Sequence, residues 1–329
     1  MKIAITGAAG FIGRNLVSAL AALGHDLLAI DNEFRGSFNS LGEKKNIKKI
    51  TADVLEEKEV IGLLKGCDAV YHLAAINGTR NFYEIPEKVL EVGLIGTYNV
   101  LKSVLKNNVK SFFFASSSEV YNNAQKIPTP ENIQCIVPDV LNPRFSYGGS
   151  KICGELLTVN LLRNTDVRYV IFRPHNVYGP EMGLDHVIPE LVMKLTNQPS
   201  KQVVGSTLKL NIEGNGKQTR AFIFIVDAIR AIVLATIKSS YTGIIHIGTE
   251  DEITIEFLAK EIAKCLGVKT KLVFTDSKPG GPNRRCPDTA KLQKLGFKNQ
   301  TDLRKGLKKT VSWYKDFYDI LQTAEKRDI

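Results

Sequence analysis

Along the first half of the chain, short apolar runs alternate with longer stretches of helical period. Met1–Thr6 (MKIAIT) reads as a strand and Leu16–Leu23 as an apolar helix behind it. The alternation then repeats. Strands are predicted at Asp26–Ile30, Ile47–Ala52, Asp68–Leu73, Lys110–Ala115 and Val167–Phe172, and Asp68–Leu73, followed by Ala74-Ala75, reads as a parallel strand buried on both faces. A long helix is predicted over Pro86–Asn107, with Val89, Leu90, Ile95, Val100, Leu101 and Leu105 at helical spacing. Another runs from Tyr147 through Leu156, Leu157, Leu161 and Leu162, carrying more apolar positions than one packed face needs. The pattern predicts an α/β protein, a doubly wound parallel sheet over residues 1–174. From His175 onward Gly, Pro and Asn increase and the alternation is lost, so 175–329 is expected to form mainly a smaller α/β region. Gly243–Gly248 (GIIHIG) reads as one further buried strand, returning to the main sheet.

The junction of the first strand and helix is Gly7-Ala8-Ala9-Gly10-Phe11-Ile12-Gly13. Strand, glycine turn and helix N-terminus together present backbone N–H groups to a pyrophosphate, and glycine lets the phosphate approach closely. The spacing is G-x-x-G-x-x-G, not the commoner G-x-G-x-x-G, but it sits where a Rossmann-type fold requires it. Asp31 and Asn32 follow the second strand, and an acid about 20 residues past the glycines accepts the adenosine ribose hydroxyls and repels a 2′-phosphate. NAD is therefore favoured over NADP, with Arg35 close enough in sequence to temper the preference. Asp53 and Val54 are expected at the adenine, although an acid at a strand end also serves as a helix cap. Leu73, Ala74 and Ala75 leave room where backbone passes beneath a dinucleotide.

Candidate chemistry lies at the C-terminal ends of later strands, where open α/β sheets hold their ligands. Ser116-Ser117-Ser118-Glu119 follows the fifth strand, and Tyr147 and Lys151, four apart, project from one helix face. A cation beside a phenol favours phenolate. Such a tyrosine can take the proton from a sugar hydroxyl while hydride leaves the same carbon. Alone, Tyr-x-x-x-Lys also describes a half-buried tyrosine beside a surface lysine.

Composition narrows the class without choosing the reaction. The 329 residues are 43% hydrophobic and 24% charged, with no apolar run long enough to span a bilayer, and the N-terminus opens directly into a strand, so a cytoplasmic protein is expected. Five scattered cysteines without C-x-x-C pairing read as free thiols, with no metal site. The net charge of +10 would suit a polyanion, but the lysines are dispersed among acids and no aromatic residues interleave with them. Nucleic acid is not expected as a partner; a mildly basic cleft for a diphosphate is.

Taken together, these residues resemble the extended short-chain dehydrogenase/reductase family, specifically its NAD-dependent nucleotide-sugar epimerases, dehydratases and decarboxylases. The likeness covers almost the whole chain. It rests on Gly7, Gly10, Gly13, Asp31, His72-Leu73-Ala74-Ala75, Ser117 with Tyr147 and Lys151, Arg173-Pro174 with Asn176-Val177-Tyr178-Gly179-Pro180, Gln218-Thr219-Arg220-Ala221-Phe222 and Arg284-Arg285-Cys286-Pro287-Asp288. The resemblance implies C4 oxidation of a nucleotide-linked hexose. Ser117 would bond the sugar oxygen, Tyr147 act as acid/base, and Lys151 hold the nicotinamide ribose, with Pro174 at the cofactor. Asn176, Val187, Arg220 and Arg285 are implied for the substrate, with Arg284 the rival of Arg285. Ser118 and Glu119 bear on the fate of the oxidised sugar. Glu119 matches the glutamate of dehydratases and decarboxylases, whereas Ser118 stands where many dehydratases have aspartate. Epimerisation, dehydration and decarboxylation all stay open, as do a net-redox dehydrogenase and a non-catalytic NAD-binding scaffold. Gly93, Asn122, Glu181 and Val226 depart from the family's usual residues. A homodimer is implied too, supported by the surplus apolar positions on the helices near 90–105 and 150–162.

Overall fold

The computed structural model describes residues 1–196, 203–204, 207–276 and 282–325. Strands β1 (Lys2–Thr6) and β2 (Asp26–Asp31) pair in parallel, with helix α1 (Phe11–Ala22) between them in sequence. β3 (Ile47–Thr51) adds beside β2 and, after α2 (Glu57–Leu63), β4 (Ala69–His72) adds on the other side of β1. The predicted long helix is present but not uniform. α3 (Thr79–Glu84) precedes α4 (Pro86–Glu91), and Val92–Gly96 widens into a π-turn before α5 (Thr97–Lys106). β5 (Ser111–Ala115) leads to α6 (Ser146–Leu162), which packs on that π-turn so closely that a Cβ on Gly93 would lie 2.5 Å from the Ser150 Cβ. Close packing thus explains the glycine at 93.

After β6 (Arg168–Pro174) come β7 (Val177–Tyr178), α7 (Val187–Thr196), β8 (Val203–Val204), β9 (Thr207–Glu213), β10 (Thr219–Ala221), β11 (Ile223–Phe224) and α8 (Ile225–Thr236). β12 (Gly243–Ile247) then returns to the main sheet, parallel to β6, with Ile244 opposite Ile171 and Ile245 opposite Phe172. The sheet has seven parallel strands in the order β12-β6-β5-β4-β1-β2-β3. This is the doubly wound Rossmann-type sheet expected from the alternation. β13 (Glu252–Thr254), α9 (Ile255–Leu266), β14 (Lys269–Thr275), β15 (Arg284–Arg285), α10 (Ala290–Lys294) and α11 (Leu303–Glu325) complete the chain. Their strands join small sheets, among them β13-β10-β15, which carries Arg220, Arg284 and Arg285.

Successive strand residues feed opposite faces, so each strand builds two cores. Ile3, Ile5 and Phe113 join one with Leu16 of α1 and Ile232 of α8, while Ala4, Phe112 and Phe114 join the other with Val100 and Leu101 of α5. Each such large apolar side chain contributes about 1.5–3 kcal/mol on burial. The strand ends are therefore fixed supports. Glycine turn, Leu73–Ala75, the serine run and Pro174 all emerge at the same C-terminal edge.

Candidate active site

Every residue predicted for the cofactor lines one cavity of about 410 Å³, which also reaches Ser117, Ser118, Glu119, Tyr147, Lys151, Asn176 and Arg285. Its floor at one end is the glycine turn. Gly7 has φ 73°, and a Cβ on Gly13 would stand 2.0 Å from the Gly7 carbonyl oxygen, so α1 can start against the turn only without side chains there. Asp31 accepts Ala9 N–H on Oδ2 at 3.0 Å and Glu33 N–H on Oδ1 at 2.8 Å, which fixes the carboxylate beside the turn. Asp53 lines the cavity, accepts from Asn32 at 2.9 Å and closes a local turn on the Leu55 N–H at 2.9 Å; it does not cap α2, whose N-terminal flanking residue is Glu56. This donor set fits NAD, with helix N–H groups for the pyrophosphate and a carboxylate for ribose hydroxyls.

At the other end, Tyr147 opens α6 and is 7% exposed, stacked on Phe82 of α3 with ring centroids 5.1 Å apart. Lys151, one turn on, donates to the Ala115 carbonyl at 2.8 Å, and its Nζ lies 5.6 Å from the Tyr147 ring centroid. Burial lowers this amine to about 7. Burial, with the charge of Glu119 second, pushes the Tyr147 phenol up to about 12; Ser117 and Arg35 act against them. Ser117 caps a 3-10 turn (Ser118–Tyr121), accepting the Glu119 N–H at 3.1 Å, so one short turn sets the positions of serine and glutamate together. His72, by contrast, is structural. It bridges Thr6 at 2.7 Å and Thr97 at 3.0 Å, and burial keeps it neutral, down at about 3.

The charged wall is the part that sequence patterns do not anticipate. Glu119 Oε1 accepts from Arg285 Nη1 at 2.7 Å and Oε2 from Arg144 Nη2 at 3.1 Å. Burial alone would raise this carboxyl, but the two guanidiniums outweigh it and hold it down at about 2. Arg144 has no place among the residues singled out from the sequence. Its only signal there is proximity to Tyr147, which says nothing of contact with Glu119.

Not every residue expected at the site faces the cavity. Arg220 does not line the cavity: its guanidinium is spent on the carbonyls of Thr219, Pro282 and Asn283, clipping β10 to the segment ahead of β15. Val187 also lies off the cavity wall, because its apolar side chain packs on the core; Asp185 and His186 line the wall there instead. Arg35 lines the same cavity as Asp31, comes within 2.9 Å of where a Gly183 Cβ would lie, and interacts electrostatically with Asp185 and Tyr147. Between the rival arginines the geometry is clear: Arg284 turns to Glu252 at 2.6 Å on the exposed side, while Arg285 faces the cavity. Two departures have local partners. Asn122 has φ 47° and ψ −110°, outside the left-handed helical well, and its side chain donates to Ile136 O at 2.5 Å; Glu181 pairs with Arg14 at 3.2 Å. Val226 is exposed, and nothing around it explains the missing aspartate.

Among the described residues no His, Cys, Asp and Glu group is arranged to hold a metal, and no helix is long and apolar enough to cross a membrane. Fold and site together define a dinucleotide-dependent enzyme of the extended short-chain dehydrogenase/reductase type. The family model for the NAD dependent epimerase/dehydratase family matches residues 3–248, and the chain belongs to that family. A UDP-N-acetyl-alpha-D-glucosaminuronate decarboxylase of Bacillus cytotoxicus is 32% identical over 326 residues, covering 95% of this chain and 97% of that protein. Among solved structures, a UDP-N-acetylglucosamine 4-epimerase from Methanobrevibacter ruminantium in complex with UDP-N-acetylmuramic acid matches with TM-score 0.85 at 26% identity, over 96% of this chain and 98% of that one. MoeE5 in complex with UDP-glucuronic acid and NAD matches with TM-score 0.81 at 26% identity, over 96% and 100%. The cofactor is NAD.

Proposed function

We propose that the chain converts a nucleotide-diphosphate hexose by transient oxidation at C4 to a 4-keto sugar, then reduces the same sugar, with no net redox change. The observation that carries this reading is the grouping of Ser117, Tyr147 and Lys151 on the cavity that starts at the glycine turn. NAD, when bound, supplies the hydride acceptor and donor. Tyr147 takes the C4 hydroxyl proton as phenolate and later returns it as phenol, Ser117 holds the sugar oxygen, and a protonated Lys151 adds its charge in favour of phenolate. The diphosphate is assigned to Asn176 and to the Nε and Nη2 groups of Arg285, which are buried without a hydrogen-bond partner among the described residues.

The fate of the ketone depends on Glu119. Held ionised by two guanidiniums, it is a weak base, which speaks against elimination begun by Glu119. Inversion at C4 needs no second base. Loss of CO₂ from a 4-keto uronic acid is the second reading, favoured by the arginine pair and agreeing with the named activity of the Bacillus relative.

The test is incubation with NAD and a panel of UDP-, GDP-, CDP- and dTDP-sugars, read by NMR and nicotinamide absorbance. New sugar signals without lasting NADH are expected; an unchanged panel with no absorbance change would remove the proposal. We further propose a homodimer, because Leu90, Ile95, Tyr98 and Leu156 are exposed on neighbouring helices. A monomeric mass in light scattering at all concentrations would refute it. The five unpaired thiols agree with a reducing compartment, and we assign the enzyme to the cytoplasm, a location that fractionation would test.

A further inference from the structure

Strand β12 is apolar but for His246, which lies opposite Arg173 of β6. Both side chains are buried, so their polar atoms need partners within the protein. His246 finds two, on separate segments. Its Nδ1 meets the Asp288 carbonyl at 2.9 Å and its Nε2 the Tyr121 hydroxyl at 2.7 Å. A carbonyl only accepts, so Nδ1 carries the proton and Nε2 accepts from Tyr121, a phenol that burial keeps protonated. Burial holds the imidazole itself below its usual range, with Arg173 and Lys291 in support and Glu131 and the Asp288 carbonyl opposed. The ring is therefore neutral. The Tyr121 oxygen accepts in turn from Arg173, and His175 packs edge-on against His246 with ring centroids 4.7 Å apart.

The two partners belong to the two ends of the substrate site. Tyr121 closes the 3-10 turn that Ser117 caps. Asp288 follows Arg285 on a segment laced to Thr129, whose N–H donates to the Cys286 carbonyl at 2.9 Å and whose carbonyl accepts the Asp288 N–H at 2.8 Å. On the cavity side, turn and segment meet through Glu119 and Arg285, groups that a ligand can recruit. Behind them the meeting is between Tyr121 and His246, neither of which lines the cavity. The line of hydrogen bonds continues from Tyr121 through Arg173 and Glu155 to Ser116, the neighbour of Ser117.

We propose that His246 is a positioning residue whose two hydrogen bonds fix the separation between Ser117, at the sugar, and Arg285, at the diphosphate, so that one nucleotide sugar spans both. This rests on the C4-oxidation reading of the site. Proton and hydride leave C4 only when its hydroxyl stands within reach of Ser117 and Tyr147 while the diphosphate is seated. A drift of about 1 Å between the two anchors costs up to about 10²-fold in rate without removing any group that touches the substrate. A neutral imidazole suits the task, because one flat ring offers a donor to the carbonyl on one side and an acceptor to the phenol on the other. Asparagine has a donor at the Nδ1 position and no atom at Nε2; phenylalanine has neither.

Nitrogen-15 NMR of the NAD-loaded wild type reads the bridge directly, and the His246 ring should be neutral and protonated on Nδ1. The other tautomer, or a charged ring at neutral pH, overturns the proposal. Kinetics then separate the two arms. Tyr121→Phe and His246→Asn each cut the Tyr121 arm and spare the Asp288 side, so kcat on the converted sugar should fall about 10–10²-fold with nucleotide affinity kept. Both cut one link, so the double variant should be no slower than the slower single. His246→Phe cuts both arms, and calorimetry should also show about tenfold weaker binding of the tightest ligand among UDP, GDP, CDP and dTDP. Unchanged kcat in Tyr121→Phe, single effects that multiply in the double, or one equal loss of nucleotide affinity in all three variants, as a general loosening would give, overturns the proposal. A wild type that converts no nucleotide sugar removes the C4-oxidation reading instead. The bridge then stands or falls on the tautomer and on whether His246→Phe, but not Tyr121→Phe, weakens the nucleotide.

Discussion

Replacing Glu155 tests whether the serine run is held from behind by charge. Three donors converge on this carboxylate: Ser116 Oγ at 2.5 Å and Arg173 Nε at 2.7 Å on Oε1, and Arg173 Nη2 at 2.5 Å on Oε2. The Arg173 side chain is 2% exposed, and it also donates to the Tyr121 hydroxyl and to the Glu131 carbonyl. Glu155→Leu would strand a guanidinium in the core without its carboxylate, a loss of about 3–5 kcal/mol. Glu155→Gln keeps the volume and one acceptor oxygen but loses the charge, so it should cost roughly 1.5–3 kcal/mol, the range of a hydrogen bond to a charged group. Adding Arg173→Met to Glu155→Leu removes the second charge and its desolvation cost, so the double variant should be more stable than Glu155→Leu alone. Urea unfolding monitored by circular dichroism, with unchanged slopes, gives the comparison. The reasoning fails if Glu155→Leu costs under about 1 kcal/mol, or if the two substitutions simply add.

Tyr147→Phe keeps the ring stacked on Phe82 and removes the proton carrier, so turnover should fall by about 10²–10⁴-fold while thermal stability and bound NAD are retained. Near-normal turnover would assign the acid/base role elsewhere. Gly13→Ala drives a methyl group to 2.0 Å from the Gly7 carbonyl oxygen, and it should abolish NAD binding by titration before it abolishes the fold. Unaltered affinity would show that the turn can shift. Lys151 is held by burial at about 7, below the 10.5 of an ordinary lysine, so the folded chain binds fewer protons there than the unfolded one. Its cost to stability is fully present below pH 7 and relieved as pH rises toward 10.5. Lys151→Met should therefore stabilise the protein in urea at pH 6 and change little near pH 10.5; the opposite trend would mean that the amine is solvated.

The parts of this protein legible in its sequence are those fixed by neighbours in the chain. The glycine turn, the apolar strands and the Tyr147–Lys151 pair each derive from spacing within a few residues, and even β12 is visible as an apolar run bounded by glycines. The charged wall is not. Arg144, Glu119 and Arg285 come from three segments, and only the folded sheet brings β15 over the serine turn, so no spacing rule reports their pairing. The orientation of Arg220 is hidden for a related reason: an arginine in such a motif can face a ligand or spend its donors on carbonyls, as this one does, and spacing does not distinguish the two. The π-turn at Val92–Gly96 stays hidden because apolar residues continue through it, and the close packing of Gly93 on Ser150 appears only in the fold.

This division bears on how one fold supports several reactions. Oxidising a sugar at C4 needs a cofactor turn, a serine, a tyrosine and a lysine, all placed by backbone supports of the sheet, and those supports tolerate little change. On the proposed reading, the fate of the ketone is set by charges on loops and short turns at the far end of the cavity, away from the strands. Glu119 illustrates the point physically. Burial would make it an acid of raised affinity for protons, and two guanidiniums instead make it a counter-ion held at about 2. Its chemistry therefore belongs to Arg144 and Arg285 as much as to the carboxyl itself. A comparison of such enzymes that scored the glutamate alone would miss the variable that decides its role.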